Sequence, residues 1–515
     1  MEKLSKLAAK LLVERKPTFD ESEMERDFEL EEVNKLKGSG LLYCGQPFRT
    51  ELITTTKHFS FTHLTVQEFL AARWFVRENR VPDVKCSDMV YQFMAGLFSR
   101  DANEEMMEKL IDSPFMPPYL RMRCLNEYRN KEFAKQFLRE NPRAFCNSHG
   151  VMDLGCYSDV DCITVSFVLD IISELNEEEA GEAQHKYTDK FVTVERLGLF
   201  GPRLTLSGIQ RVFNSLKNEH CLVSELILSY INWSVEHVDF INRLLVRKLT
   251  TLSLNDIKIT DTGVARLCEA LQHPSCELTT LNLNSSGIND TGVASIGEAL
   301  QHPSCKLTTL NLGFSEITDT GVVSLCGTLQ HPSCKLTTLY LEGNNITDTG
   351  IASLSEALQH PNCKLTTLCI SFRGISDTCV PSLCEALQHS SCKLTALSML
   401  CNLITDTSVA CLCKALQHLN CTLTTLRMQH CEITNIGVAS LCEALQHPSC
   451  KLTTLDLEDT DITDIGVASL CEALQHPSCK LTTLELPLSV YDDEMAASLE
   501  AIIRRHRPAL KLSFH

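Results

Sequence analysis

Apolar residues return on a fixed schedule through most of the chain. "LTTL", or a near copy of it, begins at Leu249, Leu278, Leu307, Leu336, Leu365, Leu394, Leu423, Leu452 and Leu481, each 29 residues after the last. Two looser copies, "VERLGLFG" from Val194 and "LVSELILSY" from Leu222, extend the series to about eleven units. Each unit holds two periods. Leu310 and Leu312 alternate with Thr309 and Asn311, the period of a short strand. Val322, Leu325, Cys326 and Leu329 fall at i, i+3, i+4 and i+7, one face of a helix. "TDT" around Asp319 supplies capping oxygens at the helix start, and Pro332 of "HPSC" stops the helix. No single unit buries its apolar face, so neighbours must stack. Parallel strands sit ~4.8 Å apart and packed helices about 10 Å, which bends the stack. The pattern predicts an α/β horseshoe solenoid with parallel strands on the concave side and helices on the convex side.

Each unit ends with a His three residues before a Cys, from His273/Cys276 to His476/Cys479, eight times in all. That interval suits two metal ligands, but zinc needs about four converging on one point and this ladder offers two per turn. The Cys reads as a buried thiol stacking on its counterparts, the His as a cation or donor for the carbonyls at the helix end. A second thiol ladder, Cys268, Cys326, Cys384, Cys413, Cys442 and Cys471, lies on the inward helix face. The units from Leu365 and Leu394 are the least regular. Cys379 and Ser408 replace the Gly at the helix start and Pro381 enters the first turn, a small local change.

The copies differ mainly just past the strand leucines, at positions expected to face the concave side. The first varying position reads Ser253, Asn282, Asn311, Tyr340, Cys369, Ser398, Arg427, Asp456, Glu485 from unit to unit; two and three residues further on stand Glu458, Phe314, Phe372, His430 and Asp459. Drift at exposed positions favours small polar residues, whereas aromatics and Arg are the usual anchors of interfaces. The candidate ligand-binding residues are Phe314, Tyr340, Phe372, Arg427, His430, Asp456, Glu458 and Asp459. They fall into an aromatic stretch and an acidic one. Cys369, Cys401 and His430 form no catalytic constellation, since no sheltered pocket or oriented base goes with them. The chain reads as no enzyme, with no cofactor and no metal.

Charge narrows the partner. The 515 residues carry a net charge of −18, and residues 249–480 hold 22 Asp and Glu against 11 Lys and Arg. Such a field attracts a basic protein and repels nucleic acid. No apolar run reaches the ~18 residues of a membrane span, and the first 25 residues are broken by charge, unlike a secretory signal. With no export signal, the 26 cysteines point to reduced thiols in a cytoplasmic protein.

Residues 1–190 lack the repeat. "LSKLAAKLLVERKPTFDESEME" reads as helix, short strand and Ser/Glu-marked helix start; "GSGLLYCG" and "HFSF" read as strands; Leu64, Val66, Phe69, Leu70, Trp74 and Phe75 make the apolar stripe of a buried helix. The 29-residue unit resembles the leucine-rich repeat in the long-helix form of ribonuclease inhibitor and of NOD-like receptors. "FSFTHLTVQEFLAA" (Phe59 to Ala72) is very similar to the winged-helix signature of the same receptors. "FMAGLFSR", "LRMRCLNEY" and "YSDVDCITVSFVLD" resemble the helical domain that follows it, and the acidic run Ser173 to Gln184 marks a junction.

The resemblance implies three parts: a winged-helix-like domain at 1–78, a second helical domain and linker at 79–190, and the solenoid at 191–515. It implies a non-catalytic recognition module of a NOD-like (NACHT–leucine-rich-repeat) innate immune receptor that holds a protein or microbial ligand. His63 matches the family His that contacts the phosphates of bound ADP. No GxxxxGK[ST] phosphate loop occurs, so the expectation is that the nucleotide domain lies upstream of Met1 or on a separate NACHT-containing chain, and that His63 alone holds no nucleotide. The alternative is a ribonuclease-inhibitor-like clamp or adaptor that grips a basic protein through its acidic arc.

Overall fold

A computed structural model describes residues 1–16, 18–44, 48–49, 55–56, 58–141, 153–182, 194–231, 235–245, 249–370, 376–400, 404–487 and 510–514. The chain divides into two compact units, Met1–Leu197 with Ser207–Leu222, and Gly198–Leu206 with Val223–His515.

The first unit contains helices α1 (Glu2–Val13), α2 (Glu21–Asp27), α3 (Leu30–Gly38), α4 (Leu64–Arg77), α5 (Asp88–Asp101), α6 (Glu104–Ile111), α7 (Pro118–Tyr128), α8 (Lys131–Glu140), α9 (Asp159–Glu182) and α10 (Leu206–Leu216). Its strands are β1 (Phe19–Asp20), β2 (Leu42–Cys44), β3 (Phe48–Arg49), β4 (Thr55–Thr56), β5 (His58–Phe61) and β6 (Asp153–Cys156). β5 lies between β1 and β2, antiparallel to both. Phe19 and Phe59 pair across β1 and β5 with rings 5.8 Å apart, so the aromatic alternation of "HFSF" closes the small sheet on one face. Asp20 caps α2 reciprocally with Glu23. The stripe read from Leu64 onward is α4, and its buried Leu70, Ala71 and Phe75 pack toward α1 and α5.

In the second unit β7 (Arg196–Phe200) is followed by β8 (Glu225–Ser229), β9 (Thr251–Asn255), β10 (Thr280–Asn282), β11 (Thr309–Asn311), β12 (Thr338–Tyr340), β13 (Thr367–Ile370), β14 (Ala396–Met399), β15 (Thr425–Arg427), β16 (Thr454–Asp456), β17 (Thr483–Leu486) and β18 (Lys511–Phe514). From β8 to β18 each strand runs parallel to the next in chain order. From β9 to β17 the register equals the repeat, Leu281 facing Leu310 and Leu310 facing Leu339. The strand leucines from Leu252 to Leu484 are at most 1% exposed, which makes them the spine of the core. The helices α11 (Val235–Leu245), α12 (Asp261–Leu271), α13 (Asp290–Gln301), α14 (Asp319–Leu329), α15 (Asp348–Leu358), α16 (Val380–Gln388), α17 (Asp406–Leu416), α18 (Asn435–Gln446) and α19 (Asp464–Gln475) pack each on its successor. This is the leucine-rich-repeat solenoid that the two periods predict.

Polar seams hold neighbouring repeats together. The Thr of "TDT" caps its own helix: Thr318 accepts from the Thr320 N–H. The Asp serves the next repeat instead. Asp290 accepts from the Thr318 N–H and hydroxyl, and Asp319 accepts the same pair from Thr347. The "HPSCK" turns are tied in the same way. Lys335 donates to the carbonyls of Pro303 and Cys305 in the preceding repeat, and Lys364 to those of Pro332 and Cys334.

The His role differs from the expected one. In all eight turns Nδ1 accepts the backbone N–H two residues on, as His302 does from Ser304 and His447 from Ser449. The ring acts as an acceptor that closes the turn, not as a donor to helix carbonyls. The Cys beside it is buried in every turn from Cys276 to Cys479. Among the described residues no group of three or more His, Cys, Asp or Glu stands where it could hold a metal ion, and no helix is long and apolar enough to cross a membrane.

The irregular repeats show their cost at α16. Its neighbours start at the Asp of the capping motif, whereas α16 starts at Val380, past Asp377. Cys379 occupies the N-cap without a capping hydrogen bond, its thiol donating back to the Ser376 carbonyl instead, and Pro381 sits in the first turn.

Candidate binding face

The varying residues line up across the strand ends. Asn282 pairs in register with Asn311, Asn311 with Tyr340, Tyr340 with Cys369, Cys369 with Ser398, Ser398 with Arg427, Arg427 with Asp456 and Asp456 with Glu485. Neighbours one strand apart cover one another, so this row is less solvated than its composition implies. Tyr340 and Cys369 are half-buried, Ser398 is buried, and Arg427 is exposed. Part of the row also shapes its own loops: Asn282 and Asn311 accept the backbone N–H two residues on, at 3.0 and 2.8 Å.

The acidic stretch needs the larger correction. Asp456 is only 1% exposed. Its Oδ1 accepts the Glu458 N–H at 3.1 Å, and Arg427 Nε lies 3.9 Å from its Oδ2. Burial, opposed by the Glu458 amide and reinforced by the adjoining Glu485, raises the Asp456 carboxyl to about 6 in all. The other two carboxylates also meet partners from the loop that follows β15: Gln429 Nε2 donates to Glu458 Oε2 at 2.5 Å, and His430 Nδ1 lies 3.1 Å from Asp459 Oδ2. Each carboxylate of the patch thus faces a polar or basic side chain one repeat back, and Asp456 is withdrawn from solvent altogether. Glu342 lies on the same face two strand positions from Tyr340. Its Oε2 is buried with no hydrogen-bond partner, and burial raises its pKa.

Among the described residues, a left-handed backbone step recurs shortly after the strand. Tyr230, Asp256, Ser285, Phe314, His430 and Asp459 have φ between 49° and 58°, with Gly201 and Gly343 at the same step. This conformation is uncommon for side-chain-bearing residues and unfavourable for a bulky one. Phe314 illustrates the geometry. Its N–H donates to the Glu342 carbonyl at 2.6 Å, and its ring lies over Gly343, where an added Cβ would stand 2.5 Å from Cδ1. The ring is thus seated on backbone and is still 60% exposed. Tyr230 holds the equivalent place on an earlier repeat, is 62% exposed, and its hydroxyl donates to Asp256. Sequence reading missed Tyr230, because the step from β8 to β9 is 26 residues (Leu226 facing Leu252) and breaks the alignment. The loop Gly residues are the one signal that betrays the backbone there. Phe372 and Cys401 fall on the same step by sequence and lie outside the described residues. His63 is exposed at the N-cap of α4 and makes no capping hydrogen bond.

The "Leucine Rich repeat" family matches residues 275–297, 304–326, 333–355, 419–442 and 449–471. NACHT, LRR and PYD domains-containing protein 14 of Homo sapiens is 28% identical over 291 residues, covering 43% of this chain and 26% of that protein. NACHT, LRR and PYD domains-containing protein 9 of Bos taurus is 38% identical over 73 residues, 14% of this chain and 7% of that protein. The chain therefore spans about a quarter or less of these relatives. Among solved structures, the internalin inlF of Listeria monocytogenes aligns with 70% of this chain and 85% of its own, at 17% identity and a TM-score of 0.35. The chain carries leucine-rich repeats and is similar to the NACHT, LRR and PYD domains-containing proteins.

Proposed function

We propose that this chain is the recognition part of a NOD-like receptor, binding a protein or pathogen-derived ligand on its strand face without catalysis. The observation that carries this reading is the loop row: large aromatic rings at Tyr230 and Phe314 stand exposed on strained, left-handed backbone. Strain at exposed aromatics gives the fold nothing, and it is the arrangement that a rigid binding surface uses. Tyr340 extends the surface; Arg427, His430, Asp456, Glu458 and Asp459 form its polar end. Residues 1–78 and 79–190 correspond in this reading to the winged-helix and second helical domains, through which ligand binding is passed to a nucleotide-binding region. A cytoplasmic site of action follows from the same relationship.

The clamp alternative relies on free carboxylates, and the burial of Asp456 together with the Gln429 and His430 side chains beside Glu458 and Asp459 weakens its driving force. The test places a photo-crosslinking amino acid at position 314 and, as control, at Ile436 on the exposed helix side. A partner captured from 314, absent from 436 and lost when Tyr230 and Tyr340 are changed to Ala supports the reading. Equal capture from both positions sinks it.

A further inference from the structure

We infer that Cys384 and Cys411 form a reversible disulfide between α16 and α17 when the protein meets a low-molecular-weight disulfide such as glutathione disulfide. The two thiols are neighbours on successive, packed helices, near enough to act on one another. The regular seam three repeats earlier shows that the equivalent positions face one another. There a Cβ built at Gly297, the counterpart of Cys384, stands 4.0 Å from Ser324 Oγ, the counterpart of Cys411. A disulfide needs Cβ atoms about 3.5–4.5 Å apart, within reach of side chains so placed.

Access singles out this pair. Among the cysteines whose side chains are described, Cys369 and Cys411 are half-buried and the others are buried. The groups acting on Cys369 are Glu342, Arg427 and Ser398, none of them a thiol. Cys156 and Cys162 are also neighbouring thiols, but both are 0% exposed. Cys411 alone combines access with a thiol neighbour. It is also peculiar to its repeat, since Ser295, Ser324, Ser353, Ser382, Ser440 and Ser469 hold the place elsewhere. Most of those hydroxyls bond back to their own helix, as Ser353 does to Thr349.

The chemistry balances in two exchanges. The Cys411 thiolate attacks one sulfur of glutathione disulfide, a mixed disulfide forms and one glutathione thiolate leaves. The Cys384 sulfur then attacks Cys411 Sγ, and the second glutathione departs with the Cys384 proton. Two protein thiols are oxidised and one glutathione disulfide is reduced to two glutathione molecules. Burial raises the Cys384 thiol well above its ordinary range, so the second exchange is the slow one and the mixed disulfide builds up first. The bond fastens α16, the helix that lacks its first turn and its side-chain cap, to its neighbour.

Full-length protein incubated with glutathione disulfide is followed by intact mass and non-reducing peptide mapping. The expected result is a glutathione adduct at Cys411 that converts to a 384–411 linked peptide and is cleaved by dithiothreitol. C411S gives no linked peptide, and C384S holds the adduct at Cys411 without resolving it. Ser is tolerated at that place, because its counterpart Ser355 is buried and bonded to the Ile351 carbonyl. Wild-type protein that keeps the adduct to the same extent as C384S, or leaves Cys411 unreacted, overturns the inference.

Discussion

Arg427 Nε and Asp456 Oδ2 stand 3.9 Å apart across the parallel pair β15–β16, with Asp456 almost wholly enclosed. The distance is too long for a hydrogen bond, so a buried carboxylate keeps one charge incompletely compensated. Its pKa is about 6, against an ordinary 3.8. A raised acid pKa means that ionisation opposes folding: the contribution is fully present below pH 3.8 and is lost as pH rises through 6. Asp456→Asn is therefore expected to stabilise the protein above pH 7, by at most about 3 kcal/mol. The gain shrinks through pH 6 and disappears near pH 4. Urea melts of both proteins at pH 4, 6 and 8 check it; a variant that is less stable at pH 8 contradicts the assignment.

The Asp ladder yields a prediction with an internal control. Asp406 accepts from the Thr434 N–H, the Thr434 hydroxyl and the Gly437 N–H, at 2.8, 2.5 and 2.9 Å. Asp406→Ala leaves two backbone donors half-buried without partners, at a cost of about 2–3 kcal/mol. The next seam already uses Asn: Asn435 accepts from the Thr463 and Gly466 N–H groups and donates to the Thr463 hydroxyl. Asp406→Asn should thus stay within about 1 kcal/mol of wild type. Thermal melts of the two variants separate the outcomes.

The solenoid was readable because two periods and a constant spacing all point the same way. The face was only partly readable, for physical reasons. Asp456, Glu458 and Asp459 look like a free acidic cluster along the chain. Adding one repeat length to Arg427, Gln429 and His430 gives those same three residues, so the compensation is encoded a full repeat away. Burial of Asp456 and Tyr340 depends on the volume of neighbours one strand to either side, which no single repeat states. The left-handed step is hidden because side-chain-bearing residues occupy it in six described copies, with only Gly201 and Gly343 as clues. The His of "HPSC" was misassigned for a simpler reason. The tight turn brings an amide N–H to its Nδ1 before any helix carbonyl.

Phe314→Gly separates stability from recognition. At φ 50° a Phe bears backbone strain of about 1–2 kcal/mol that Gly avoids, partly offset by the greater freedom of Gly in the unfolded chain. The ring is mostly exposed, so little burial is lost. The urea midpoint should hold or rise while partner capture falls at least tenfold. A variant that unfolds more easily and still binds reverses the reading of the loop row.

Gly437 tests why the helix start prefers a residue without a side chain. An added Cβ there would lie 2.5 Å from Asp406 Oδ1 and 2.9 Å from Ile433 Cγ2, so the obstacle is the inter-repeat ladder rather than the backbone angle. Gly437→Ala must push Asp406 off the Gly437 N–H and weaken the seam, by about 1–3 kcal/mol. Where other residues take this place the seam has adjusted. Ser408 donates its hydroxyl to Asp377, and Cys379 coincides with the late start of α16. A hydroxyl returns part of what the Cβ displaces, so Gly437→Ser should be less harmful than Gly437→Ala, although it is the larger residue. Chemical denaturation of both variants decides the matter; if Ser costs as much as Ala, the clash and not the lost hydrogen bond governs the seam.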